Sequence, residues 1–188
     1  MWTDLPAPVT EALERLNAQG YQGFLVGGCV RDLLRGVPPT DYDMTTSATP
    51  EEVKKLFSDK NVVETGVRHG TVTVFSRGMP LEITTFRTEG DYRDNRHPDR
   101  VEFVTDIEKD LSRRDFTVNA MAYSPARGFA DPFGGREDLK NHVLRAVGDP
   151  EQRFREDSLR ILRGARFAVK YRLEPEAATE QAMAELAP

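Results

Sequence analysis

The apolar positions of this chain change period several times, and each change marks an element. Val9, Ala12, Leu13 and Leu16 recur at helical spacing, and Gly20 stands where a helix stops. Residues 21–26 form a mostly apolar run that predicts a strand entering the Gly27-Gly28 turn. A short helix is expected over 29–35, closed by Gly36 and the Pro38-Pro39 pair. Residues 41–46 alternate polar and apolar, as a half-buried strand does. Thr49, Pro50 and Glu52 supply an N-cap, a proline at N1 and an acid at N3, so a helix should start there and reach Phe57. Runs rich in β-formers follow at 62–65, 71–75 and 81–86. The stretch 88–100 is polar and full of breakers, which predicts a flexible loop. A helix is expected over 111–122, a turn at 131–135, and a helical tail from Asp149-Pro150 onward.

This order predicts an α/β (α+β) protein. A small mixed sheet with helices would occupy residues 1–135, and an all-helical segment residues 136–188. The chain stops soon after that segment begins, as a shortened protein would. A length of 188 residues suits one large domain, or one domain and the start of another. With 38% hydrophobic and 30% charged residues the composition is that of a soluble protein. No run approaches the length of a membrane span, and the first residues lack the basic and apolar regions of a signal peptide. The single cysteine, Cys29, cannot make an internal disulfide, no disulfide-linked partner is expected, and a reducing cytoplasm is the simple reading. The net charge of −5 argues against a uniformly basic nucleic-acid-binding surface. Arginines nevertheless concentrate around 87–100, 113–114 and 153–172.

The candidate chemistry begins with Asp41 and Asp43. Two residues apart in a strand, their carboxylates share a face and repel unless a cation lies between them. Magnesium, which favours oxygen ligands, is the expected neutraliser. Asp-x-Asp alone describes many solvated surface acids. The preceding Gly27-Gly28 turn changes that, because glycine lets backbone N–H groups approach a phosphate at the start of a helix. Arg31, early in that helix, calls for a compensating anion. Together these features point to a metal-bound nucleoside triphosphate. Glu82 is a candidate third carboxylate on a neighbouring strand. Arg113 and Arg114 could clamp phosphate oxygens. Read as one helix, residues 156–167 put Asp157, Arg160, Arg163 and Arg166 on one half. Leu159, Ile161, Leu162, Ala165, Ala168 and Val169 lie on the other, which should pack on the sheet domain or the next helix. Asp157 and Arg160 carry the acceptor and donors needed to read the edge of a base.

In this order, LVGGCVRDLLRG (25–36), DYD (41–43), DLSRRDFTVNAMA (110–122), DPFGG (131–135) and EDSLRILRGARF (156–167) resemble the class II tRNA nucleotidyltransferases and the related bacterial poly(A) polymerases. The resemblance implies a DNA polymerase beta-like head followed by a helical neck. It implies catalytic Asp41 and Asp43 with two magnesium ions on them, and Glu82, read from its strand position, joins them as the third candidate catalytic carboxylate. Nucleotide binding would fall to Gly28, Arg31, Arg114, Asp157, Arg160, Arg163 and Arg166, with Asp157 and Arg160 selecting the base. The loop around 87–100 would help switch selection from C to A. The implied reaction adds C and A to the tRNA 3′ end from CTP and ATP. A-adding, CC-adding and poly(A)-adding activities are the rivals within the family, and an inactive nucleotide-sensing module is the rival outside it. Two features depart from the family pattern: Cys29 replaces a more usual alanine, and the helical body and tail domains are absent from this chain.

Overall fold

The computed structural model describes residues 5–66, 69–90 and 101–187. Helix α1 (Ala7–Ala18) buries Val9, Ala12, Leu13 and Leu16, the face expected from their spacing. It leads into β1 (Gly23–Val26), α2 (Gly28–Leu34), β2 (Asp43–Thr46) and α3 (Pro50–Leu56). The start of α3 carries a full capping box: Thr49 accepts from the Glu52 N–H while Glu52 accepts from the Thr49 N–H. Next come β3 (Asn61–Gly66), β4 (Thr71–Ser76), β5 (Met79–Thr85), β6 (Arg87–Glu89), β7 (Val101–Phe103) and α4 (Ile107–Ser112). A 3-10 turn (Thr117–Asn119) separates α4 from β8 (Ala122–Ser124) and β9 (Gly128–Ala130). The chain continues as α5 (Gly135–Lys140), β10 (Val143–Leu144), α6 (Pro150–Glu156), α7 (Leu159–Tyr171), β11 (Glu174–Pro175) and α8 (Ala177–Leu186).

The main sheet has seven strands in the order β3-β4-β5-β2-β1-β8-β9. Every neighbouring pair is antiparallel except β2 and β5, so the sheet is mixed and β2 lies at its centre. Leu25, Met44, Leu81 and Ile83 face a core shared with α1, α2 and α3. Phe24, Val26, Phe86 and Ala122 face a second core with Leu111 and Ala120. A third core joins Phe116 and Val118 to Phe154, Ile161, Phe167, Tyr171 and Ala182 of the last three helices. It therefore packs the end of the chain onto the segment just before β8. The parallel pair β10–β11 and a bridge between Phe116 and Ala146 reinforce that junction.

Five sequence-based expectations need correcting. The segment 136–188 is not all-helical, because Val143 and Leu144 pair in parallel with Glu174 and Pro175 as β10 and β11. Residues 111–122 are not one helix. After α4 the backbone is extended at Phe116, makes a 3-10 turn and then enters β8. Leu111, Phe116, Val118, Ala120, Met121 and Ala122 are all fully buried, so no solvent-facing side existed to make an amphipathic helix. Pairing with residues 145–147 claims the backbone instead, through Thr117 N–H to Arg145 O and Val147 N–H to Asp115 O. The strand expected from residue 41 begins at Asp43. β1 has already turned away at Gly27, and Asp41 and Tyr42 make no ladder pair with β1 or β5. The helix read through 156–167 is broken at Asp157 (φ −144°, ψ 103°), whose carboxylate accepts from the Leu159 N–H. The packing face of α7 is also turned from the one expected. Arg160, Ile161, Gly164, Phe167 and Tyr171 are buried, whereas Leu162 and Val169 are 68% and 83% exposed. Residues 91–100 of the expected loop lie outside the described residues, and its described flanks pair as β6 and β7.

Candidate active site

A cleft of about 650 Å³ opens between the sheet and α7. From the sheet side it is lined by Gly27, Gly28, Arg31, Asp43, Arg114, Asp115 and Asn119. From the helical side Asp157, Arg160, Arg163, Arg166, Phe167 and Tyr171 face it. It thus gathers every nucleotide-binding residue expected from the sequence, drawn from segments more than a hundred positions apart. Asp41 and Glu82 are not among its lining residues.

Gly27 makes the corner at the cleft floor. Its φ of 73° favours glycine, and an added Cβ would come within 3.2 Å of Arg114 Nη1. Its N–H donates to Met121 O, which fixes the start of α2 against the 110–122 segment. One turn into α2, Arg31 is buried. It donates to Asn119 Oδ1 at 2.6 Å and to the Tyr171 hydroxyl at 2.7 Å, and it pairs with Asp32 at 3.1 Å. Arg114 is held from behind by the fully buried Asp110 at 3.3 Å, which also pairs with Arg113 at 3.0 Å and accepts from the Arg87 N–H. Burial would raise the Asp110 carboxyl, but Arg113 and Arg114 hold it below the usual carboxylate range. Burial in turn lowers the Arg114 guanidinium against the pull of Asp110, and it stays cationic near neutral pH.

Asp43 and Glu82 are direct register partners on the only parallel pair of the sheet. Asp43 is exposed by surface area, yet the surrounding protein desolvates it. That desolvation, then the Glu82 carboxylate, raises the Asp43 carboxyl above its usual range against the pull of Arg114; Asp41 adds a smaller push. Asp41 itself sits in the bend before β2, exposed, lining a recess with Thr40, Tyr42 and residues 77–80. Among the described residues no three His, Cys, Asp or Glu side chains form a ligand cluster. The donor set still suits a magnesium ion, which usually takes one or two carboxylates together with substrate phosphates and water. Cys29 lies behind this edge, its thiol pushed up to about 11 by burial and then by Asp43. It donates to Val26 O at 3.3 Å.

On the opposite wall the cations already have partners. Arg160 donates to Glu156 at 3.0 Å, Arg153 O at 3.3 Å and Arg113 O at 3.1 Å. Arg163 pairs with the buried Asp115 at 2.7 Å, and both Arg163 and Arg166 lie over the Phe167 ring. Sequence reasoning missed Asp115, Asn119, Phe167 and Tyr171. Phe167 and Tyr171 fall one helical turn apart, a signal that reads first as core packing.

The family profile described as Poly A polymerase head domain matches residues 23–145. The chain belongs to that family. Among curated members it is similar to the CCA-adding enzyme of Lactobacillus helveticus, with 53% identity covering 91% of this chain and 42% of the relative. A solved structure of the Bacillus stearothermophilus CCA-adding enzyme in complex with CTP superposes with a TM-score of 0.84 at 41% identity, covering 95% of this chain and 43% of that one. The Thermotoga maritima CCA-adding enzyme complexed with tRNA gives 0.77 at 28% identity, with 95% and 41% covered. The chain therefore spans less than half the length of the relatives it matches. Its mixed sheet with helices is the polymerase beta-like fold of the Poly A polymerase head domain.

Proposed function

We propose that this chain is the catalytic head and the start of the nucleotide-selecting neck of a tRNA nucleotidyltransferase. It would add C and A to the tRNA 3′ end from CTP and ATP, in the cytoplasm. The head would span residues 1–135 and the neck residues 136–188. The observation that carries this reading is the single cleft in which Gly28, Arg31, Asp43 and Arg114 face Asp157, Arg160, Arg163 and Arg166. The names of the similar proteins, and the CTP and tRNA complexes among them, support the choice of nucleotide and acceptor.

In this reading Asp41 and Asp43, with Glu82 alongside, would hold two magnesium ions. Magnesium there would neutralise charge on the triphosphate and lower the pKa of the attacking 3′-hydroxyl. The protein's own work is positioning and charge stabilisation. Arg31 and Arg114 hold phosphate oxygens from the head. Asp157 spends Oδ1 on the Leu159 N–H, which leaves Oδ2 to accept from the exocyclic amine that C and A share. Arg160 is anchored to backbone on both sides of the cleft, so it presents its donors from a fixed place.

The test offers labelled tRNA lacking its 3′ end, with magnesium, CTP and ATP separately and together. C addition from CTP alone and full CCA with both is the expected result. A product built from ATP alone would select the A-adding or poly(A) alternative. Nucleotide binding without metal-dependent incorporation would select the sensing module.

A further inference from the structure

The geometry points to Tyr171 as a positioning residue that holds Arg31, and through it couples the grip on a triphosphate to the helix that faces the base. This rests on reading the cleft as a nucleotide site. A guanidinium has five N–H groups. Arg31 spends four of them: Nε and Nη2 on the Asp32 carboxylate, a second Nη2 proton on the Tyr171 hydroxyl, and one Nη1 proton on Asn119 Oδ1. One Nη1 proton is left for a ligand, so Arg31 offers a single aimed donor rather than a fork. The Tyr171 ring fixes the plane of that donor, with its centroid 4.0 Å from the Arg31 guanidinium carbon. Both groups are buried, at 5% and 7% exposure, so neither exchanges its partner cheaply for water.

Tyr171 also ends α7, the helix that carries Arg163 and Arg166. The contacts close on themselves. Arg163 pairs with Asp115, Asp115 accepts from Asn119, Asn119 accepts from Arg31, and Arg31 donates to Tyr171, back on α7. Phe167 lies inside this ring, 5.6 Å from Tyr171 and stacked under Arg163. A rotation of α7 that shifts its base-facing side chains must therefore drag Arg31. Triphosphate grip and base register become one adjustment.

Tyr171→Phe keeps the stack and removes the 2.7 Å hydrogen bond. Binding of CTP and of inorganic tripolyphosphate is measured with magnesium on the chain and on this variant. Both probes should weaken by about 10-fold, the usual scale for a lost hydrogen bond to a charged group, with a melting midpoint lower by only a few degrees, as one unpaired buried donor would give. In an Arg31→Lys background the same substitution should cost nothing further, because the bond it removes is already gone. Tyr171→Leu, which also removes the stack, should weaken tripolyphosphate more. Parent-like or tighter tripolyphosphate binding by Tyr171→Phe overturns the assignment, as does an undiminished loss in the Arg31→Lys background. If the parent chain binds neither probe, the nucleotide-site reading falls first and this inference with it.

Discussion

The two walls of the cleft solve opposite electrostatic problems. On the sheet wall, Asp43 has Glu82 as its register partner outside the cleft lining, and Asp41, also outside it, adds a smaller negative potential. Among the described residues Arg114 opposes them, and it is itself shared with Asp110. This wall is left with unspent repulsion that a divalent cation would relieve. On the helical wall two of the three cleft arginines are matched before any ligand arrives, Arg160 by Glu156 and Arg163 by Asp115, and Arg166 lies over the Phe167 ring. Such a wall offers fixed geometry and little electrostatic demand, which suits a nearly neutral base. The difference teaches where each kind of work belongs: charge handling on the strands, recognition on the helix.

The largest effect should come from attacking the repulsive wall. Asp43→Ala should reduce nucleotide incorporation by about 1000-fold or more while leaving the fold intact, since a lost metal ligand costs several kcal/mol of transition-state stabilisation. Asp41→Ala sharpens the comparison. An equal loss would mean that Asp41 turns into the cleft when the triphosphate binds, and parent-like activity would confine the metals to Asp43 and Glu82. Rates on the tRNA substrate decide between them.

A smaller effect should follow from the recognition wall. Asp157→Ala should raise misincorporation of UTP or GTP relative to CTP and ATP by about 10-fold, the scale of one lost hydrogen bond to a charged acceptor. Binding of tripolyphosphate should hold, because the phosphates are gripped from the head. Unchanged selectivity with slower turnover would make Asp157 simply the cap of the Leu159 N–H.

The smallest effect is on stability. Desolvation and then Glu82 raise the Asp43 carboxyl above its ordinary value of 3.8 in the folded protein. A carboxyl raised by folding binds its proton more tightly when folded, so ionisation costs stability at any pH above the folded value and costs nothing below the unfolded one. In metal-free buffer at pH 7, Asp43→Asn should therefore raise Tm by about 1–2 °C, a figure kept small because the group is exposed. The gain should vanish near pH 3. A fall in Tm at pH 7 would mean that the sheet wall carries no unspent repulsion.

Much of this arrangement was legible in the sequence, and the failures share one cause. α1, α3 and the start of α6 were readable because their signals are local: period, capping box, proline at N1. The arginines and acids of the cleft were readable because they cluster in motifs. The 110–122 segment failed because its backbone is claimed by residues 145–147, a partner that no local pattern announces. The orientation of α7 failed for a related reason. Composition placed Leu162 and Val169 inside and Arg160 outside. The structure reverses them, because Glu156 and two backbone carbonyls satisfy the buried guanidinium. Asp115 and Asn119 stood inside the 110–122 motif with no role of their own, since a buried polar residue acquires its role only from what surrounds it.

The hydrogen bond between Arg31 and Tyr171 joins residues 140 positions apart. A contact of that span has consequences for the order in which the molecule comes into being. Loop-closure entropy makes such a contact late, and local pieces such as the β4–β5 hairpin form first. During synthesis the strands bearing Asp43 and Glu82 leave the ribosome well before Tyr171 does. A nascent chain thus displays its acidic edge with no opposing wall, and the cleft proposed to hold nucleotide is complete only once Tyr171 has emerged. Ligand can stabilise the finished molecule but cannot guide its early folding, so the sheet has to find its register unaided.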